Sequence, residues 1–282
     1  MLQSMFSGIS GLRTHQRRMD VIGNDVANVN TPGYKQSDVT FKEAYVTTLR
    51  APSSGTPGQQ VGLGTQVGGI VKNFKGGILM ETGQTSNIGI SGEGFFAVTE
   101  VGAPDGLDAA YYTRAGDFML DVDPAGVTHL INPDGKRLRG LNGDLAASDM
   151  TGLDGSTFTD IILPADTTSF SIGLDGTISA SINGLTPTVV GRVAVATFEN
   201  NTGLQSIGSN LFKTNDAASL RVFENAGVLG RGQIFQGYLE NSNVDLAQEF
   251  TDMIITQRGF QANAKTITTS DELLIELLQL KR

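Results

Sequence analysis

Residues 242–280 read SNVDLAQEFTDMIITQRGFQANAKTITTSDELLIELLQL, and the spacing within this run decides the fold. Leu246, Phe250, Met253, Gln257, Phe260, Ala264, Ile267, Asp271, Leu274 and Leu278 follow one another at steps of four and three, the rhythm of a heptad seam along one side of a helix. Ser242 with Asp245 three residues later resembles a capping box, with Asp in place of the usual Glu or Gln. Gly259 lies inside the helix at a cost of about 1 kcal/mol against alanine. Either it is merely tolerated, or its smallness admits another backbone.

The opposite end of the chain repeats the pattern. Leu2, Met5, Ile9, Leu12, Gln16 and Met19 keep the same steps, and the stripe shifts near Gly23 to continue through Ile22, Val26 and Val29. A helix with one greasy side cannot hide that side alone, so these two pair with each other, with copies of themselves, or with both. Asn30-Thr31-Pro32-Gly33 ends the first helix, because the residue before a proline is pushed out of the helical region.

Between the ends lies a turn-rich middle. The chain has 282 residues with 36 glycines and 17% charged residues. Asp105-Gly106, Asp134-Gly135, Asn142-Gly143, Asp154-Gly155, Asp175-Gly176 and Asn183-Gly184 are pairs favoured in tight turns, since glycine accepts positive φ and Asn or Asp tolerates it. Phe170, Ile172 and Leu174 before one such pair, with Ile178, Ala180 and Ile182 after it, are expected to share one face of a hairpin. The segments 94–98, 112–120 and 192–198 read as further strands, the last more central because its apolar run is more continuous.

The fold class expected is therefore mixed, mainly β with terminal α-helices. The N- and C-terminal helices form a coiled-coil-like inner domain beside a turn-rich antiparallel β domain. The boundaries are 1–35 for the N-terminal helix, 36–75 for a linker and extended segment, 76–235 for the β domain and 236–282 for the C-terminal helix. The run 51–58, rich in Pro, Ser and Gly, has linker composition.

Chemistry is sparse. The net charge is −9 with no run of Lys and Arg, which argues against nucleic acid. The absence of cysteine excludes disulfides, a thiol nucleophile and thiolate metal sites. No stretch approaches the ~20 apolar residues of a membrane span, and Gly8, Gly11, Arg13 and His15 interrupt what would be a signal-peptide core. His15 and His129 are expected to be solvated. Asp121-Val-Asp123-Pro-Ala-Gly126 lacks the further oxygen ligands of a calcium loop, and Asp117 and Asp121 are expected to face solvent. Phe95 and Phe96, adjacent on a strand, point to opposite faces. Arg13, Arg17 and Arg18 form a basic patch that could meet Asp245, Glu249 and Asp252 of a neighbouring copy. No catalytic, cofactor or metal site is nominated, so neither an enzyme nor a cofactor is expected.

The segment 19–35, MDVIGNDVANVNTPGYK, resembles the signature that bacterial flagellar rod and hook proteins share near their N-termini. Asn24, Ala27, Asn28, Asn30, Thr31, Gly33 and Tyr34 carry that resemblance. The run 242–274 is similar to the matching C-terminal signature, and Gly92-Glu-Gly-Phe-Phe96 and 112–118 are similar to the family's internal strand motifs, so the resemblance spans the chain. It implies a homopolymer exported unfolded by the flagellar type III apparatus without a cleaved signal peptide, whose terminal helices line a tube around the export channel. Its other partners would be rod, hook-cap and hook–filament junction proteins. The motifs at 4–12, 61–65 and 271–274 are most similar to the short form of the hook subunit, which implies a flexible torque-transmitting coupling at the cell exterior. The distal rod, a straight drive shaft, is the alternative within the family. A secreted adhesin-like β domain on a coiled-coil stalk is the alternative of another class. An additional outer domain has little room, with 140–168 as a small excursion. The family's export-gate motif, Phe followed four residues on by an aliphatic residue, is not met by Phe6 and Ser10; Leu2 with Phe6, or Met5 with Ile9, has the spacing with other residue types.

Overall fold

The computed structural model describes residues 2–51, 57–104, 110–123, 126–143, 158–164, 167–182, 184, 186–215, 221–224, 226 and 232–280. The chain is mainly β with a helix at each end and forms two compact units. One gathers Met1–Val29, Gln36–Asn73 and Val244–Arg282; the other gathers Asn30–Lys35 and Phe74–Asn243.

In the first unit, helix α1 (Leu2–Ala27) lies antiparallel against helix α2 (Leu246–Leu280). The direction follows from the contacts Ser4 Oγ to Ser270 Oγ at 3.3 Å and Arg18 Nη2 to Asp252 Oδ1 at 3.1 Å. Past the end of α1, the Asn28 amide and side chain both donate to Asn24 O. The start of α2 differs from the capping box expected at Ser242. Asp245 is the cap, its Oδ1 accepting from Ala247 N at 2.9 Å and Gln248 N at 3.4 Å, because a carboxylate immediately before the helix reaches the free amides of the first turn.

The stretch expected as linker and extended segment carries paired strands. Ser37–Glu43 runs antiparallel to Thr65–Lys72, with a bulge between Thr40 and Phe41, and Val46–Arg50 pairs with Gln59–Gly62. Alternating Val and Thr favour the pleat even where composition alone suggests a linker. Part of the run 51–58 lies outside the described residues.

The second unit has its core around the strand Phe95–Thr99, which is wholly buried. It pairs with Tyr111–Thr113, Arg137–Asn142 and Val195–Phe198. Phe96 belongs to a cluster with Phe118, Leu138, Ile178 and Ile234, while Phe95 belongs to another with Tyr112, Phe158, Phe198 and Phe212. The alternation of neighbouring side chains thus fills a core on each face. In the hairpin Thr167–Ile172 with Thr177–Ile182, Ile172 stands opposite Ile178 and Phe170 opposite Ala180. Leu174, expected on the same buried face, is exposed, because it sits within the turn that Gly176 closes at φ 81°. The turn pairs at 105–106 and 154–155, residue Asn183, and most of the excursion at 140–168 lie outside the described residues.

Two solvent-facing expectations are corrected in this unit. His129 is buried, with Nε2 3.8 Å from Asp123 Oδ2. Asp117 is half-buried and bridges to Asn87, and burial raises its carboxyl above the ordinary range. His129 is buried together with the adjacent Leu130 in the strand Thr128–Ile131, and Asp117 is held beside the buried Phe118 by its bridge to Asn87. Asp123 is engaged by Arg137 Nη2 at 2.7 Å.

Candidate assembly surface

The two helices meet through small and polar side chains. The buried residues of α2 are Glu249, Thr256 and Ser270, and those of α1 are Gly8, Gly11, Thr14, Ile22 and Asp25. A Cβ on Gly11 would come within 2.7 Å of the Asn263 side chain, and one on Gly8 would stand 3.0 Å from Ile267 Cγ1. Gly259 receives the His15 ring, which a Cβ there would approach to 2.6 Å. Its smallness therefore admits a neighbouring side chain. His15 is not solvated as expected: it is half-buried, edge-on to Phe41 at 5.6 Å. Burial and then the charge of Arg18 hold its imidazole below the usual histidine range.

The seam residues divide. Ile22 is buried; Met5, Leu12, Met19, Val26, Val29, Met253, Ala264, Ile267 and Leu274 are half-buried. Ile9, Leu246, Phe250, Phe260 and Leu278 are exposed, and the side chain of Leu2 lies outside what is described. Further large apolar side chains stand in solvent, among them Phe6 at 66%, Ile254 at 59% and Leu280 at 82% exposure. Covering one such side chain is worth about 1.5–3 kcal/mol, so this face is a surface that association would stabilise. Sequence reading missed Gly8, Gly11, Asn263, Thr256 and Ser270 as contact residues. The signal was there in the three-residue step from Gly8 to Gly11 and on to Thr14.

The basic patch also divides. Arg18 pairs with Asp252 of its own chain, and Glu249 accepts from Gln36 Nε2 at 2.5 Å, so neither acid waits for a neighbour as expected. Asp25, fully buried, accepts the Ser37 amide at 3.1 Å on Oδ2. Burial, first of all, raises the Glu249 carboxyl above its ordinary range; the Gln36 hydrogen bond opposes this, and the charges of Asp25 and Asp252 reinforce it.

The motif residues fall into two groups. Asn24 and Asn28 close the last turn of α1 against each other, Asn28 Nδ2 donating to Asn24 Oδ1 at 3.1 Å, and Ala27 is its final residue. Asn30 to Tyr34 belong to the second unit. Asn30 is exposed, Thr31 O accepts the Tyr34 amide at 3.3 Å, and Tyr34 is buried. Asn210 Nδ2 donates to Pro32 O at 2.8 Å, and Gly33 N donates to Glu240 O at 2.8 Å. Gly33 has φ 69°, and a Cβ there would stand 2.5 Å from the Ala115 amide nitrogen, so only glycine fits. Beside it, Glu240 is held by Lys35 Nζ at 2.7 Å and Arg114 Nη1 at 3.1 Å. The Gly77 amide adds a third donor at 2.7 Å. Burial lowers the Lys35 ammonium, partly offset by Glu240.

Among the described residues, no group of three or more His, Cys, Asp or Glu stands ready for a metal ion, and no helix is long and apolar enough to cross a membrane.

Family models match three stretches: "Flagella basal body rod protein" over residues 5–35, "Flagellar hook protein FlgE/F/G D1 domain" over 89–180 and "Flagellar basal body rod FlgEFG protein C-terminal" over 236–280. The flagellar basal-body rod protein FlgG of Bacillus subtilis (strain 168) is 40% identical over 290 residues, covering 100% of both chains. The FlgG of Buchnera aphidicola subsp. Acyrthosiphon pisum (strain APS) is 33% identical, covering 99% of this chain and 100% of its own. The flagellar hook protein FlgE of Borreliella burgdorferi is 28% identical over 452 residues, covering 100% of both. With its terminal signatures, its β domain and its whole length accounted for in this way, the chain belongs to the bacterial flagellar rod and hook protein family, whose members are structural subunits of the flagellum.

Proposed function

We propose that the chain is a subunit of the distal rod, polymerising into a straight drive shaft that encloses the export channel. The observation that carries this reading is the economy of its match to the rod relative. That alignment closes over 290 positions, whereas the hook relative needs 452 and so carries long stretches with no counterpart in 282 residues. The exposed apolar side chains of α1 and α2 support polymerisation itself, since water is excluded from them only by other chains. Neighbouring rod and hook proteins are the partners expected in the flagellum, and the type III apparatus the route of export.

The hook remains the second reading, favoured by the wording of the motifs at 4–12 and 61–65 and by the full-length hook relative. Deleting the gene and imaging basal bodies by electron microscopy separates the two. A truncated rod supports the first reading; a complete rod that lacks a hook overturns it in favour of the second.

A further inference from the structure

Within the first unit, Ser4 faces Ser270, Gly11 faces Asn263 and His15 faces Gly259. Carried along the antiparallel pair, this register sets Leu2, the first residue of α1, level with Glu272. The turns of α2 from Leu273 to Leu280 therefore overhang α1. That overhang is apolar and acidic at once: Leu273, Leu277 and Leu280 follow one helix face and are 53%, 50% and 82% exposed. Glu272 and Glu276, one turn apart, lie beside them in solvent.

On the same unit, a cleft of about 470 Å³ opens between α1 and the strand Thr65–Lys72. Phe6, Ile9, Leu63 and Val67 supply apolar walls, and Arg13 and Arg17 stand at one end. Those two arginines are also one turn apart, exposed, and in no ion pair among the described residues. Phe6 and Ile9 continue the same face toward the N-terminus.

We propose that the overhanging end of α2 from a second copy seats in this cleft, antiparallel to α1, with Glu276 against Arg13 and Glu272 against Arg17. The occupant follows from charge and spacing. Two carboxylates one turn apart meet two guanidiniums one turn apart, and only the antiparallel direction then sets Leu280 opposite Ile9. The parallel direction sets Lys265 and Thr268 against Phe6 and Ile9 instead. The chain's own overhang cannot reach the cleft. Arg13 is level with Gln261, which places Glu276 about 22 Å further along the axis at 1.5 Å per residue. The seat deepens the polymer reading, on which it rests, by naming the faces that join one copy to the next.

The absence of cysteine makes the test direct. Two differently tagged copies, one Arg13→Cys and one Glu276→Cys, are co-expressed in cells whose own gene is deleted, and flagellar basal bodies are treated with a short bis-maleimide and resolved on a denaturing gel. Two long side chains meeting head to head hold their Cα atoms beyond the about 4.4–6.8 Å that a disulfide spans, a gap the cross-linker bridges, so the expected result is a dimer carrying both tags, lost when either cysteine is omitted. Flagella that assemble normally without the mixed dimer would overturn the seat while leaving the rod reading intact. A chain absent from purified basal bodies would overturn the rod reading itself. As a second readout, Arg13→Glu with Arg17→Glu should abolish assembly, and adding Glu272→Arg with Glu276→Arg should restore it. Failure to restore, with helix content of the monomer unchanged, would count against the pairing.

Discussion

Lys35 Nζ lies 2.7 Å from Glu240 Oε1 with neither side chain exposed, across a sequence separation of 205 residues. Arg114 shares the same carboxylate, so one buried anion faces two cations, while the Glu240 carbonyl fixes Gly33. Removing the anion strands both cations in a dry site, whereas removing Lys35 leaves a matched pair.

Glu240→Gln is therefore expected to destabilise the β unit by about 3–5 kcal/mol, the loss typical of a broken buried ion pair, and Lys35→Met by clearly less. Urea unfolding followed by near-ultraviolet signals from the buried aromatics orders the two. Equal losses would mean that the node is held by packing and not by charge.

Gly259→Ala brings a methyl group to 2.6 Å from the His15 ring. Overpacking of this kind costs about 1–3 kcal/mol, which outweighs the gain of about 1 kcal/mol in helix propensity. Gly23→Ala, on the open side of α1 with nothing within 4 Å of the added carbon, keeps only the gain. Thermal melting of helical circular dichroism should move in opposite directions for the two variants.

Gly33→Ala meets both a left-handed backbone and the Ala115 amide at 2.5 Å. A loss of several kcal/mol is expected, beyond the ~1 kcal/mol that either Gly33→Ala strain alone or a helix glycine would give. Cells carrying this variant should be non-motile, with the chain recovered in insoluble form. Soluble, assembled Gly33→Ala would contradict the assignment of this residue.

The raised Glu249 carboxyl gives the helix pair a pH dependence of definite sign. Unfolded, this group titrates near its ordinary value of about 4.3; folded, it holds its proton to higher pH. Between those two values the unfolded state has released a proton that the folded state keeps, so stability falls as pH rises through the window. Glu249→Gln should flatten this part of the profile and raise the melting temperature at neutral pH. Melts at a series of pH values from acid to neutral read both effects.

Much of this architecture was legible before the fold was seen. The steps of three and four at each end marked α1 and α2, and pairs such as Asp175-Gly176 marked the hairpins, because both signals are local. What stayed hidden depends on closure between distant positions. Nothing near Lys35 in the chain announces Glu240 or Arg114, and nothing near His129 announces that its strand turns it inward toward Asp123. The greasy stripes drew attention away from Gly8 and Gly11, where the helices touch, since small residues read as interruptions when only hydrophobicity is counted. Hook against rod rested on a few motif words, which local chemistry does not weigh.

The slender glycine and serine contact between α1 and α2 has a kinetic corollary. Two free subunits colliding in solution each offer one uncovered flank and gain little, whereas a growing tip presents several flanks at once to the next arrival. Growth should therefore follow nucleated elongation, with a pronounced lag in bulk solution and prompt addition to a preformed seed.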